Sequence, residues 1–131
     1  DFANYDVTID QINQINRANY RKAFFPKPVE TVEQLITSSR KGISWYRGYF
    51  NEDLSQEEVE KGINQFNAKA VIVGHTLQWN VNKLFNGKVF AIDVKHPKDY
   101  SKHWPFKKSE GLLITKGEYF QVLANGEKKQ L

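Results

Sequence analysis

Val71-Ile72-Val73-Gly74-His75-Thr76 is the stretch on which the reading of the fold turns. Ala70 to Val73 is a short continuous apolar run rich in β-branched residues, the pattern of a buried strand. Gly74 closes it; a glycine lets the backbone turn sharply and lets a ligand come close. His75 then stands at the carboxyl end of a strand, the edge where open sheets covered by helices build their sites. The Gly-His pair has two readings. Its imidazole can ligate a transition metal, with the second nitrogen fixed by a hydrogen bond, or it can merely complete a turn.

Toward the C-terminus, Asn80 to Phe85 reads as a second strand and Lys88 to Val94 as its return. Asn86-Gly87 between them is a strong hairpin signal, because both turn positions tolerate positive φ. Lys95 to Ser109 is a long basic and aromatic loop with two prolines. It places His96 just past a strand end and His103 further on, among Lys95, Lys98, Lys102, Lys107 and Lys108. Such a loop either attracts phosphate or is simply a solvated charge run. Gly111 to Thr115 and Tyr119 to Leu123 form a last hairpin around Lys116-Gly117-Glu118.

Toward the N-terminus the pattern turns helical. Thr8 with Gln11, Thr31 with Gln34 and Ser55 with Glu58 are capping-box pairs, each ahead of apolar residues at helical spacing. The first helix is expected to reach Lys22–Phe24 and stop before Pro26, since proline restricts the residue before it. Val59, Ile63 and Phe66 form one stripe of the third helix, expected to end near Asn67. Gly42-Ile43-Ser44-Trp45-Tyr46-Arg47-Gly48-Tyr49-Phe50 lacks a clean period and reads as a structured loop. Helices over 1–68 and strands over 69–131 give an α+β or layered α/β class with a mostly antiparallel sheet, in a single portion of 131 residues.

Composition bounds the function. Hydrophobic residues at 40% and aromatics at 14% can build a core, and no apolar run is long enough to span a bilayer. There is no cysteine, which removes disulfides, thiolate metal sites and a cysteine nucleophile from this stretch. The formal charge of +4 is a mild excess, compatible with an anionic substrate. The chain opens on Asp1 and contains no Met, from which a processed or shortened chain is expected. Ser44 and Thr76 have no adjacent His and acid in a recognisable nucleophile arrangement.

Val-Ile-Val-Gly-His-Thr, followed by a strand and then Phe85-Asn86-Gly87-Lys88-Val89-Phe90-Ala91-Ile92-Asp93, resembles the last metal motif of the calcineurin-like metallophosphoesterases and the hairpin after it. The resemblance is to the branch related to serine/threonine phosphatases, which lacks a second His where Leu77 stands. Trp45-Tyr46-Arg47-Gly48-Tyr49-Phe50 resembles a loop that borders the active site in that branch. The Gly111–Ile114 and Tyr119-Phe120 strands resemble its C-terminal hairpin. Of that family's motifs only the final Gly-His is present; Asp-x-His, Gly-Asp-x-x-Asp, Gly-Asn-His-Asp/Glu and His-Gly-Gly are absent.

The resemblance implies the C-terminal half of such a domain, half of a four-layer sandwich of sheets and helices. It implies two divalent metal ions (Mn, Fe or Zn) about 3.5–4 Å apart, holding a hydroxide that attacks phosphorus. His75 would be a metal ligand, Arg47 a phosphate contact, and Tyr46 and His96 substrate-binding residues. One imidazole cannot hold two metals, so at most weak metal binding and no turnover are expected of this chain alone. The expected partners are a phosphorylated substrate, the missing N-terminal half of the domain and, through the exposed apolar face of a half-sandwich, a second copy in a homodimer. The branch includes exported bacterial enzymes, and a cytoplasmic or exported location stays open. The competing functions are a module that binds single-stranded nucleic acid, disfavoured by the small charge excess, and a non-catalytic remnant that acts through protein contacts.

Overall fold

The structure, a computed structural model, describes residues 2–22, 29–51, 54–94 and 109–131. The chain divides into two compact units, Asp1–Ala68 and Lys69–Leu131. The basic loop with His96 and His103 falls outside the described residues. No helix among the described residues is long and apolar enough to cross a membrane.

The first unit is built from helices whose starts are set by local chemistry. Helix α1 (Ile9–Asn19), α2 (Val32–Thr37) and α3 (Gln56–Gln65) each begin in a complete capping box. In each, the Thr or Ser side chain accepts from a backbone N–H three residues on, and the Gln or Glu there reaches back to the cap's own N–H. Two donors that a helix leaves unpaired at its start are thus satisfied together. Helix α1 ends at Asn19, earlier than its apolar spacing suggests. There Asn19 Nδ2 donates to the Ile15 carbonyl and to Glu33 Oε1 of α2, at 2.8 and 3.1 Å.

Val7, Ile12 and Ile36 form the buried centre of this unit, with Phe2, Tyr5, Ile15, Val32 and Phe66 packed around them. At about 1.5–3 kcal/mol for each fully buried aliphatic side chain, such burial outweighs the propensity of these short helices as a source of stability. Gln65 Nε2, at the end of α3, donates to the Tyr5 carbonyl at 2.7 Å and ties that helix to the N-terminal 3-10 turn.

The second unit holds two three-stranded sheets. In the first, β1 (Val71–Val73), β2 (Asn82–Leu84) and β3 (Val89–Ala91) are ordered β1-β3-β2. β3 runs parallel to β1 and antiparallel to β2. Being central, β3 is buried along its whole length. Among the described residues β1 is an edge strand instead, with Ile72 at 45% exposure. The apolar run at 70–73 therefore does not mark a strand covered on both sides; that role belongs to Val89-Phe90-Ala91. The hairpin joining β2 to β3 is longer than a two-residue turn. Phe85, Asn86 and Gly87 all take positive φ, and Lys88 N–H donates to the Phe85 carbonyl.

The second sheet is an antiparallel meander of β4 (Glu110–Thr115), β5 (Glu118–Leu123) and β6 (Lys128–Gln130). Lys116 and Gly117, with φ of 50 and 82°, make the tight turn between β4 and β5. Helices followed by mostly antiparallel strands make an α+β arrangement, in agreement with the class read from the sequence.

Candidate functional site

Strand order explains how His75 reaches its place. β1 and β2 flank β3, so the chain from Val73 to Val81 must pass over the carboxyl end of β3. Backbone bonds fix that passage: Ile92 N–H donates to the Val73 carbonyl at 2.9 Å and Gln78 N–H to the Asp93 carbonyl at 2.8 Å. Gln78 also forms an isolated parallel bridge with Val94. Its side chain closes the loop from within, donating from Nε2 to the carbonyls of Thr76 and Leu77 and accepting from Asn82 Nδ2.

His75 lies within this pinned crossing, exposed, with φ of 60°. A left-handed backbone at a non-glycine residue costs roughly 1–2 kcal/mol and persists only where its surroundings over-determine it. Here the bonds at Val73 and Gln78 do so. Beside it, the Thr76 hydroxyl oxygen is buried and finds no hydrogen-bond partner among the described residues. Gln78, the residue that fixes the loop, was not singled out from sequence. Its signal is positional, a polar residue facing a strand end that comes later in the chain.

The loop that carries Arg47 belongs to the first unit and is set by two glycines. Trp45 and Tyr46 both donate backbone N–H bonds to the Gly42 carbonyl. A Cβ on Gly42 would collide with the carbonyl oxygens of Ser38 and Ile36, so only glycine fits there. At Gly48 the hydroxyl end of the Tyr46 ring occupies the place where a Cβ would be. Tyr46 meets Tyr49 edge to face, with centroids 5.5 Å apart and planes at 88°. Arg47, half-buried, donates from Nη1 to the Tyr46 carbonyl at 3.2 Å, and its own carbonyl accepts from Phe50 N–H. Burial raises the Tyr49 hydroxyl above the ordinary tyrosine value.

The fold thus brings Tyr46 and Arg47 together in one loop and sets His75 at a strand end in the other unit. Among the described residues there is no group of three or more His, Cys, Asp or Glu side chains that could hold a metal ion.

No family model matches the sequence, and no curated protein matches it. Solved structures do match. A cold-active protein-tyrosine phosphatase of the psychrophile Shewanella is 28% identical with a TM-score of 0.80, over 99% of this chain and 37% of that one. A second structure of a cold-active protein-tyrosine phosphatase has a TM-score of 0.76 at 28% identity, over 99% of this chain and 36% of that one. The chain therefore spans little more than a third of these neighbours' length.

These findings correct the assignment drawn from Gly74-His75-Thr76. The similar structures are described as protein-tyrosine phosphatases, not as calcineurin-like metallophosphoesterases. With the assignment goes the half of a four-layer metallophosphoesterase sandwich. The expectation of two divalent metal ions is corrected with it. A tight site needs several donors converging on one point, and among the described residues no group of three or more His, Cys, Asp or Glu side chains offers one.

Proposed function

We propose that this chain is part of a phosphatase that removes phosphate from tyrosyl side chains of proteins, and that Arg47 is a group it directs at the phosphate. The observation that supports this is the likeness, over 99% of the chain, to a cold-active protein-tyrosine phosphatase. The residue chemistry agrees. Arg47's planar guanidinium matches two phosphate oxygens at once, and the chain's excess of positive charge favours a dianionic group.

In phosphoryl transfer the leaving oxygen departs in line with the attacking group while charge spreads over the equatorial oxygens. Arg47 would hold those oxygens. The chain holds no cysteine, so these residues supply no thiolate for attack on phosphorus.

The test is release of inorganic phosphate from a phosphotyrosyl peptide and from p-nitrophenyl phosphate by the protein that carries this chain. Turnover is expected with both, and Arg47→Ala is expected to lower kcat/KM by roughly a hundredfold or more. If the folded protein releases no phosphate from either, the proposal fails.

A further inference from the structure

We infer that Tyr46 is a positioning residue: its ring, seated on Gly48 and edge-on to Tyr49, fixes the peptide whose carbonyl oxygen holds the Arg47 guanidinium. The inference rests on the phosphatase reading for what Arg47 contacts, but not for how Arg47 is held.

Arg47 Nη1 bonds the carbonyl of the residue directly before it. That bond can aim a long side chain only if the carbonyl itself is immobile. Two features hold it. Upstream, Tyr46 N–H is bonded to the Gly42 carbonyl at 3.0 Å, in a turn that admits no side chain at Gly42. Downstream, the Tyr46 ring folds over residue 48, where any side chain would displace it. The perpendicular contact with Tyr49 then fixes the ring's tilt; such aromatic pairs prefer this edge-to-face geometry. Arg47 lies between two residues joined by that ring. The free energy of ordering a guanidinium is thereby spent in folding and not on binding phosphate. Gly48 is thus required for the room it leaves Tyr46, with no demand on its own φ.

The experiment compares Tyr46→Phe, Tyr46→Ala, Gly48→Ala and the double variant Tyr46→Ala/Gly48→Ala, each checked for folding by circular dichroism. The readouts are the inhibition constant for inorganic phosphate and kcat/KM for p-nitrophenyl phosphate. Tyr46→Phe keeps the flat ring and should stay within about twofold of the parent. Tyr46→Ala and Gly48→Ala should each weaken phosphate inhibition by roughly tenfold or more, since small misplacements of a binding group are costly. In the double variant the added Cβ meets no ring, so the loss should be no larger than in Tyr46→Ala alone. Should Tyr46→Ala not fold, Tyr46→Leu, which keeps apolar volume without a flat face, replaces it. An unchanged inhibition constant in folded Tyr46→Ala or Tyr46→Leu overturns the inference, as does a double variant whose losses simply add.

A second readout separates this inference from the phosphatase reading. The Arg47 Nε–H resonance in nitrogen-15 spectra should keep the parent's position in Tyr46→Phe and should move away from it in Tyr46→Ala. If the parent neither hydrolyses aryl phosphates nor binds phosphate, the phosphatase reading falls and this spectrum alone decides the positioning claim. A resonance that does not move in Tyr46→Ala overturns it.

Discussion

Phe90 and Tyr119 stack with ring centroids 4.3 Å apart and planes inclined by only 20°. Phe90 sits at the middle of β3, in register with Ile72 and Lys83, and Tyr119 lies on β5 opposite Ile114. The pair is where the two sheets of the second unit meet. Phe90 is 1% exposed, so Phe90→Ala should cost about 3–5 kcal/mol, through lost transfer free energy and the cavity left behind. Phe90→Leu should cost less. Urea unfolding measures both, and a loss under about 1 kcal/mol in the alanine variant would show that the stack does not hold the sheets.

His75 takes a left-handed backbone that glycine adopts without penalty. His75→Gly should therefore be more stable than His75→Ala by about 1 kcal/mol, because alanine keeps the clash between Cβ and the carbonyl. Equal melting temperatures for the two variants would show that residue 75 is not held at positive φ in solution.

Glu58 lies below the ordinary carboxylate range because its carboxylate accepts the backbone N–H of Ser55, with the Ser55 hydroxyl adding to the effect. A carboxyl with a lowered folded value contributes stability above its unfolded value and loses it as pH falls through the folded one. In Glu58→Gln the capping geometry survives without the titration. The parent's advantage over that variant should be present at neutral pH and should fade on acidification below about pH 4. Thermal unfolding across an acid series reads this, and a gap that widened toward low pH would contradict it.

Glu110 Oε2 accepts from Val81 N–H at 3.0 Å and from Gln121 Nε2 at 2.6 Å, linking the approach to β2 with β5. Glu110→Ala leaves the buried Val81 amide without this acceptor, at a cost of about 1–3 kcal/mol. Hydrogen exchange at the Val81 amide should quicken in that variant far more than at amides of β4 and β5. Unchanged protection at Val81 would show that the bond does not form.

What the sequence disclosed followed the range of the forces involved. The three helix starts were legible because a capping box closes within four residues, as at Ser55 and Glu58. The turn at Lys116-Gly117 was legible for the same reason. β6 was not foreseen: Lys128 to Gln130 is exposed throughout and has no apolar alternation to mark a strand. The edge position of β1 was hidden too, since Val-Ile-Val reads alike whether one face is covered or both. At the site, His75 was found at a strand end because Gly-His after an apolar run states that locally. The ligands around such a residue come from elsewhere in the chain, and spacing alone does not display them. A metal pair was therefore inferred where the structure assembles no donor cluster among the described residues. The Tyr46–Gly48 contact spans two residues, yet it depends on a ring folding back, which periodicity does not record.

The β1-β3-β2 order also bears on how the polypeptide is made. Val71-Ile72-Val73 leaves the ribosome before Val89, Phe90 and Ala91 do, and β2, which emerges between them, pairs with β3 and not with β1. Until Ala91 too has emerged, this sticky tripeptide has no β3 beside it, and a nascent chain in that state is open to capture by other chains. A released chain cut short between Val73 and Val89 should be insoluble.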